Sequence, residues 1–421
     1  MELKVDEATR VAGHIGVSVR IGKDDVNARV IQREFRGFEP LLKGRPLEEA
    51  PLYTSRICGI CQVAHALASV KAVEDGLSIS VSHEVQKLRE VANLAGTIQS
   101  HLLHLFLLIA PLKLGTEPAP MAIRPKLNGI VRSILVGRSM TQRMISDICG
   151  RTIHPITMIA GGFSKGLSAE DMSRMAPVVD KLTKNLTELS EEMLPIIEGE
   201  ANERGIGLRT RYMHVSDSGI IVQDHDGTKL LSFDIDHYGE HIGEVEAEEG
   251  FGRRPYLKAF GYPDGFIRVG PLARLNIKRG DRGPWSEIRH ESVMYSSARI
   301  IESLLASERI GELVGELESG VKASPAELKF REGEGFGAIE APRGVLLHHY
   351  AFSKDGVIKE ADIITPTAFN SPAIERDIEK NVSSMRGMET DKIKVRVLKV
   401  LRDYDPCIPC ATHMVEVVIG H

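Results

Sequence analysis

The chain has 421 residues, which is enough to bury a large core as one extended domain or two closely packed ones. It is 42% hydrophobic and 26% charged with a net charge of −5, the composition of an ordinary globular protein. No basic stripe indicates a nucleic-acid partner, and no run of about 18 apolar residues indicates a membrane span. The first residues lack the apolar core of a signal peptide, so we expect a cytoplasmic protein.

The N-terminal half predicts a hairpin followed by helices. Residues 15–35 alternate apolar and polar side chains on both sides of Lys23-Asp24-Asp25, which predicts a β-hairpin. Residues 84–110 repeat apolar side chains at helical spacing, and a shorter helix is expected over Leu67–Val73. Further helices are predicted at about 120–150, 169–198, 285–318 and 391–403.

The rest of the chain is richer in strands. Residues 208–240 and 255–275 are predicted to form strands and loops, with a hairpin turn at Asp226-Gly227. A second turn of this kind, Asp355-Gly356, separates two apolar runs that we predict to be strands. These elements together predict a mainly helical α+β fold, with a core of long helices flanked by small antiparallel sheets.

Four of the five cysteines form two Cys-x-x-Cys pairs, Cys58 with Cys61 and Cys407 with Cys410. Four thiolates suit zinc, an iron–sulfur cluster or another soft transition metal. A structural zinc site is the commonest of these, but zinc-ribbon pairs usually lie about 15–20 residues apart, whereas nearly the whole chain separates these two. A thioredoxin-like redox pair would explain one pair but not both. Cys149 is interpreted as a buried small hydrophobe.

Longer motifs surround both pairs. The first is Arg56-Ile57-Cys58-Gly59-Ile60-Cys61-Gln62-Val63-Ala64-His65, and the second is Asp405-Pro406-Cys407-Ile408-Pro409-Cys410-Ala411-Thr412-His413. Together they resemble the paired signature of [NiFe]-hydrogenase large subunits. Residues 35–39, 340–344 and 365–370 also resemble blocks of this family, so the resemblance covers most of the chain.

The resemblance implies a nickel–iron centre whose iron carries CO and cyanide ligands. All four paired cysteines would bind nickel, and Cys61 and Cys410 would also bridge to iron. Cys58 and Cys407 would bind nickel alone, with Cys407 as the proton acceptor. The residues implied around this cofactor are Arg343, Pro366, Thr367 and His65.

Further roles are implied for several of these side chains. Arg343 and Thr367 would hold the cyanides, and His65 would donate a hydrogen bond to a bridging sulfur. Asp405 would join Arg343 and Cys407 in catalysis. Since a guanidinium does not lose its proton easily, Arg343 is better explained as an electrostatic support than as a base.

A magnesium or similar divalent ion is also implied, at a buried C-terminus. Glu39 and His413 would be its ligands. In the family a protease cuts the chain after the histidine that matches His413, so residues 414–421 are expected to be a cleavable extension.

The implied activity is the reversible heterolytic cleavage of H2, which needs a soft, electron-rich metal and a nearby base. Only Cys149 remains outside the site, and an iron–sulfur cluster needs about four cysteines. We therefore expect an iron–sulfur small subunit to take the electrons, with further flavin or iron–sulfur subunits behind it. The stretch 261–265 looks most like cytoplasmic multi-subunit hydrogenases, closest to the heterodisulfide-reductase-linked type, with deazaflavin- or NAD(P)-coupled types also similar.

Two residues depart from the family pattern. Ala12 stands where the family has a glutamate, and Leu112 stands where many relatives have an aspartate near the metals. These departures favour a second interpretation, a hydrogenase-like structural subunit of an electron-transfer complex with impaired H2 turnover. A zinc-stapled binding protein is a third.

A single domain over residues 1–421 is predicted, because no internal repeat or linker divides the chain. Its predicted sections are 1–70 with the hairpin and first cysteine loop, 71–204 as the helical core, 205–284 as a strand-rich insert, 285–413 with the second cysteine loop, and 414–421 as the extension.

Overall fold

The computed structural model describes residues 2–5, 8, 11–33, 37–109, 128–204, 206–216, 219–277 and 288–411. This part of the chain is mainly helical. Its α-helices are α1 Phe38–Leu42, α2 Ala50–Thr54, α3 Gln62–Gly76, α4 His83–His104, α5 Asn128–Cys149, α6 Ala169–Arg204, α7 Tyr238–His241, α8 Pro271–Ile277, α9 Met294–Glu316, α10 Pro366–Ser383, α11 Thr390–Asp403 and α12 Ile408–Ala411.

The strands of the described residues are short and form small sheets. They are β1 Glu2–Val5, β2 Ile15–Ile21, β3 Val26–Gln32, β4 Met158–Ile159, β5 Gly162–Phe163, β6 Leu167–Ser168, β7 Arg211–Ser216, β8 Gly219–Gln223, β9 Lys229–Phe233, β10 Ile242–Glu246, β11 Arg253–Leu257, β12 Ile267–Arg268, β13 Gly320–Val321, β14 Gly333–Ala341, β15 Gly344–Phe352 and β16 Ile358–Ile364. Three of the sheets have more than two strands, in the orders β1-β2-β3, β12-β7-β8-β9 and β14-β15-β16. All the strand pairs are antiparallel except β12 with β7.

Long helices form the centre of the molecule. Helix α4 begins at its N-cap Ser82, whose hydroxyl accepts a hydrogen bond from the Val85 N–H. Along α4 the buried apolar side chains recur every three or four residues, as helical periodicity requires. This apolar face packs against α5 and α9, and α9 also packs against α6. The resulting four-helix core fixes the C-terminal end of α4, which lies at the site described below.

The sheet β14-β15-β16 packs closely against α3. A Cβ atom on Gly335 would lie 2.0 Å from the Ala72 carbonyl oxygen, and one on Gly337 would lie 2.1 Å from that of Ala68. Only glycine therefore allows the strand to approach the helix backbone this closely. The close approach holds α3 in position, and α3 begins directly after Cys61.

Most of the predicted elements are confirmed in the described residues. All three predicted hairpins form at the expected turns, and Gly227 and Gly356 have φ values of 92° and 73°. The predicted helix over 84–110 ends as an α-helix at His104 and continues as a π-helical turn, Leu105–Ile109. The start of the predicted helix at 120–150 lies outside the described residues.

Several elements differ from the prediction, and three are informative. The helix expected over 285–318 begins only at Met294. Helix α10 and strand β14 were not predicted, because α10 has a proline, Pro372, in its interior and β14 is rich in glycine. None of the helices in the described ranges is long and apolar enough to cross a membrane.

Candidate metal centre

The four paired cysteines come together although they lie at opposite ends of the sequence. Cys61 is the N-cap of α3, and Cys58 lies in the turn before it. Cys407 directly precedes α12, and Cys410 lies within it. All four side chains are buried, and none is in a disulfide.

The sulfur atoms form one compact group. The Sγ atoms of Cys58 and Cys407 are 3.4 Å apart, those of Cys61 and Cys410 are 3.4 Å apart, and those of Cys407 and Cys410 are 2.9 Å apart. All four Sγ atoms lie within 4.8 Å of one another. Four sulfurs at these separations fit a soft transition-metal centre with thiolate ligands, and the donor set excludes a hard cation such as magnesium.

Segments from distant parts of the chain hold the second cysteine loop. Ala12 forms a parallel bridge with Cys407, and the Ile408 N–H donates to the Ala12 carbonyl oxygen at 2.8 Å. The Cys407 N–H donates to the Thr367 hydroxyl oxygen at 3.0 Å, in the first turn of α10. Asp405 adopts the left-handed backbone conformation, with φ of 55°. The loop is therefore held from both sides by contacts with other parts of the chain.

The four thiols affect one another's pKa. The neighbouring thiols, chiefly Cys407, hold the pKa of Cys58 well below its usual value. The N–H groups of Ile60 and Cys61 also donate to Cys58 Sγ, at 3.3 and 3.4 Å. Burial raises the pKa of Cys410 well above its usual value. Metal binding must therefore displace protons from this group, since thiolates are the ligands.

An arginine and an aspartate form a buried ion pair beside the sulfurs. Arg343 Nε donates to the Asp405 carbonyl oxygen at 2.6 Å, and its Nη2 lies 2.9 Å from Asp405 Oδ2. Burial opposes ionisation of Asp405, but Arg343 and His104 hold the pKa of its carboxyl below its usual range. Arg343 Nη1 is buried without a hydrogen-bond partner among the described residues. An unpaired buried N–H is costly, so it indicates a place for a further acceptor.

The two histidines in the last turn of α4 belong to polar networks and not to the cysteine group. His104 Nδ1 lies 3.5 Å from Asp405 Oδ1, and its Nε2 lies 3.2 Å from Arg299 Nη1. His101 Nε2 lies 2.7 Å from Glu302 Oε2. Burial lowers the pKa of His104 to about 3 and that of His101 to about 4, so both rings are neutral near pH 7.

Sequence reasoning missed a cluster of buried charges behind this site. Arg274 of α8 pairs with Glu302 of α9 and with Glu340 at the end of β14. Arg299 of α9 is buried and donates to the Asp403 carbonyl oxygen at 2.8 Å. One signal could have revealed it, because Arg299 and Glu302 are charged residues on the apolar face of a long helix.

The remaining predicted site residues have different surroundings. His65 is buried on α3, one turn after Cys61, and Pro366 and Thr367 begin α10. Glu39 lies on α1 beside a cavity of about 400 Å³ that reaches β16. His413, its predicted partner, lies outside the described residues, as do Leu112 and the extension 414–421.

Another buried acid near this cavity was not predicted. Burial, with the neighbouring carboxylate of Asp362, raises the pKa of Glu244 to about 7. Asp362 also accepts a hydrogen bond from the Tyr238 hydroxyl at 2.6 Å. Glu39 adds to the negative charge around Glu244, so acidic groups concentrate on this side of α1.

The fold and the four-thiol group define a protein that binds a soft transition metal. The chain belongs to the nickel-dependent hydrogenase family, whose family model matches residues 36–111 and 238–413. The sequence is 33% identical to a subunit of the F420-non-reducing hydrogenase of Methanothermobacter thermautotrophicus, over 99% of this chain and 95% of that protein. It is also 33% identical to the alpha subunit of sulfhydrogenase 2 of Pyrococcus furiosus, over 99% of this chain and 100% of that protein.

A solved structure shows the same fold. The NAD+-reducing [NiFe]-hydrogenase in the H2-reduced state superposes with a TM-score of 0.89 at 28% identity, over 98% of this chain and 99% of that one. The predicted family and the predicted mainly helical fold are thereby confirmed. The family and the four-cysteine group together support a nickel–iron centre in this chain.

Proposed function

We propose that this chain is the catalytic subunit of a [NiFe]-hydrogenase and catalyses the reversible heterolytic cleavage of H2. The observation that carries the proposal is the group of four buried thiols, within 4.8 Å of one another, in a member of the nickel-dependent hydrogenase family. A nickel–iron pair bound there would supply the soft, electron-rich metal site that this reaction needs.

Each cysteine has a proposed role as a ligand. Cys61 and Cys410 are the proposed bridging ligands, and their sulfur atoms lie 3.4 Å apart. Cys58 and Cys407 are the proposed nickel-only ligands, and Cys407 is the proposed proton acceptor. The Thr367 hydroxyl accepts a hydrogen bond from the Cys407 N–H and so holds the backbone of this proposed ligand.

The residues around the cysteines are proposed to bind the small ligands of iron, CO and cyanide. Arg343 supports this role because its buried Nη1 has a hydrogen to donate and no acceptor in the described residues. Asp405 orients the guanidinium through two contacts, and it keeps its charge because Arg343 lowers its pKa. Thr367 and Pro366, at the start of α10, and His65, on α3, complete this proposed pocket.

Two further parts of the proposal concern the C-terminus and the partner. Glu39 and His413 are proposed to bind magnesium or a similar divalent ion. Since four of the five cysteines are used, the electrons must leave through another subunit that carries iron–sulfur clusters. The relatives described above are subunits of larger enzymes, and a relative in Archaeoglobus profundus, 28% identical, is named as an iron-sulfur subunit of an F420-non-reducing hydrogenase.

Metal analysis of the purified complex tests the proposal. We expect close to one nickel per chain, with one iron beyond those of the partner's iron–sulfur clusters, and infrared bands from CO and cyanide. Cys407→Ser should abolish H2-dependent dye reduction, whereas Cys149→Ala, which changes a buried cysteine of α5 outside the thiol group, should retain it. One zinc and no nickel per chain would contradict the proposal.

A second candidate is a hydrogenase-like structural subunit with impaired H2 turnover. The position of Ala12 favours it, because this residue pairs with Cys407 and has no side chain that can carry a proton. A complex that contains nickel and iron but neither oxidises nor evolves H2 would support this candidate over the first.

A further inference from the structure

Four buried side chains connect helices α9 and α4 to the loop that carries Cys407. Arg299 Nη1 lies 3.2 Å from His104 Nε2, and His104 Nδ1 lies 3.5 Å from Asp405 Oδ1. The other oxygen of this carboxylate, Oδ2, lies 2.9 Å from Arg343 Nη2. All four side chains are at most 6% exposed, so their polar atoms contact one another and not bulk water.

The chemistry of the two ends fixes the direction of these contacts. A guanidinium has N–H donors and no acceptor, so His104 Nε2 must offer its lone pair to Arg299. The ring proton is then on Nδ1, the nitrogen that faces the Asp405 carboxylate. The opposite tautomer would place an N–H group against the Arg299 N–H and a lone pair against the carboxylate, and both of these contacts are repulsive.

Arg299 also contacts the backbone of the same loop. Its Nη1 donates to the Asp403 carbonyl oxygen at 2.8 Å, two residues before Asp405. The two hydrogens of Nη1 therefore have two acceptors, one on the loop and one on His104. Asp405 has a left-handed φ of 55°, a conformation that persists in a residue with a side chain when its surroundings hold it. Arg299 and His104 are part of those surroundings.

The position of Asp405 determines the orientation of the Arg343 guanidinium. Arg343 Nε donates to the Asp405 carbonyl oxygen at 2.6 Å, and Nη2 contacts the carboxylate. Because these two nitrogens are held, the direction of the third, Nη1, is also set. Nη1 is buried and has no acceptor in the part of the chain that the structure describes. A rotation of the Asp405 carboxylate would therefore move the one group of Arg343 that is free to bind a ligand.

We propose that Arg299 and His104 are positioning residues, which hold the Asp405 carboxylate and thereby direct Arg343 Nη1 toward the metal centre. Their own contacts end at Asp403 and Asp405, so they act on the centre through Asp405 alone. The inference rests on the proposed function for the identity of the ligand that Nη1 meets. The contacts from Arg299 to Arg343 do not depend on that function.

Neutron diffraction from crystals of the parent complex in D2O tests the direction of the contacts and needs no variant to fold. We expect deuterium on His104 Nδ1 and none on Nε2, with the Nδ1 deuterium directed at the Asp405 carboxylate. Deuterium on Nε2 would overturn the proposal, because His104 would then offer Asp405 no donor.

Two variants of His104 test the effect on Arg343. His104→Asn places an amide N–H near the position of Nδ1 and keeps a donor toward Asp405, whereas His104→Leu removes it. In crystal structures of the two variant complexes, Arg343 should keep its parent orientation in His104→Asn and turn in His104→Leu. The infrared bands of the cyanide ligands should shift in His104→Leu and stay in place in His104→Asn. Arg299→Met should behave like His104→Leu, because the ring loses the donor that fixes its proton.

Arg89→Met is the matched control for Arg299→Met. Arg89 is a buried arginine of α4 that donates two hydrogen bonds to Glu74. It lies fifteen residues before His104, about 22 Å along the helix. Its loss should lower the unfolding temperature and leave the Arg343 orientation and the cyanide bands unchanged. Equal band shifts in Arg89→Met and Arg299→Met would overturn the proposal, as would an unmoved Arg343 in His104→Leu.

Nickel analysis of the same samples tests the proposed function separately. A complex without nickel, whose His104 carries its proton on Nδ1 and whose Arg343 turns in His104→Leu, would refute the hydrogenase assignment and leave the positioning role standing. Nickel with CO and cyanide bands, together with an Arg343 that does not move in His104→Leu, would refute the positioning role alone.

Discussion

Replacing Arg268 with methionine tests how the fold holds the second cysteine loop. Arg268 of β12 is fully buried and pairs with Asp377 of α10, which is also fully buried. Arg268 Nε donates to the Tyr404 hydroxyl at 2.7 Å, and that hydroxyl donates to Asp377 Oδ2 at 2.9 Å. Tyr404 directly precedes Asp405, so this triad anchors the loop that carries Cys407.

The magnitude follows from the burial of the pair. Breaking a buried ion pair by removing one partner costs about 3–5 kcal/mol, because the other charge remains unpaired in the core. A chain of this length gains about 0.9 kcal/mol/K of entropy on unfolding, so the unfolding temperature should fall by about 3–6 °C. Arg309→Met is the matched control, because Arg309 is 42% exposed and its pair with Glu90 contributes about 1 kcal/mol at most.

The loss of stability in Arg268→Met should also depend on pH in a defined direction. Burial already raises the pKa of Asp377, and Arg268 counteracts this effect. Without Arg268 the pKa of Asp377 in the folded state rises further above its value in the unfolded chain. A carboxyl whose pKa is higher in the folded chain than in the unfolded chain binds its proton more tightly in the folded chain. Its contribution to the free energy of unfolding is therefore lost as the pH rises through the folded-state pKa.

Thermal unfolding of parent and variant across a pH series measures both effects. The unfolding-temperature deficit of Arg268→Met should be smallest in acid and should grow toward neutral pH. A second change, Asp377→Leu, should recover much of the loss, because it removes the unpaired charge. A deficit no larger than that of Arg309→Met, or one that shrinks as the pH rises, would refute the reasoning.

Two further variants test the proton route and a close contact between helix α3 and strand β14. Ala12→Glu adds a carboxyl beside Cys407 and should speed H/D exchange in the assembled enzyme by up to about 100-fold. An unchanged exchange rate would mean that protons reach the metal centre by another route. Gly337→Ala brings a Cβ to 2.1 Å from the Ala68 carbonyl oxygen and should destabilise the fold by about 1–3 kcal/mol in thermal unfolding. Gly315→Ala on α9 is the control and should not destabilise the fold, because a Cβ added there meets no atom within 4 Å.

Local sequence patterns predicted the parts of this fold that local forces determine. The hairpins follow from alternation and from Asp-Gly turns, and α4 follows from its apolar spacing. Helix α10 gave no such pattern, because it buries polar residues such as Asn370 and Asp377 as well as apolar ones. Strand β14 was missed because its glycines serve the contact with α3, which no neighbour in the sequence reveals.

The candidate site also has a part that local sequence motifs predicted and a part that they did not. The cysteine motifs predicted four thiols around one centre, and the structure brings all four sulfurs together. The charged networks behind them join residues far apart in sequence, such as Arg274 with Glu302 and Arg299 with Asp403. Charged residues on the apolar face of α9 can mark such a network in the sequence, but the partners are defined only by the packing of α8 and α9 against the rest of the core.

The buried charges around the sulfurs affect whether the cysteines are protonated or ionised. Arg343 and Arg299 are two buried cations, and Asp405 is the one carboxylate that contacts the Arg343 guanidinium among the described residues. Burial, with the repulsion of Arg343, lowers the pKa of Arg299 to about 10, which still leaves it charged at neutral pH. An excess of buried positive charge is unfavourable unless anions lie nearby. An ionised Cys58, whose pKa is lowered, supplies part of that negative charge, whereas the raised pKa values of Cys61 and Cys410 keep those two thiols protonated until a metal cation displaces their protons.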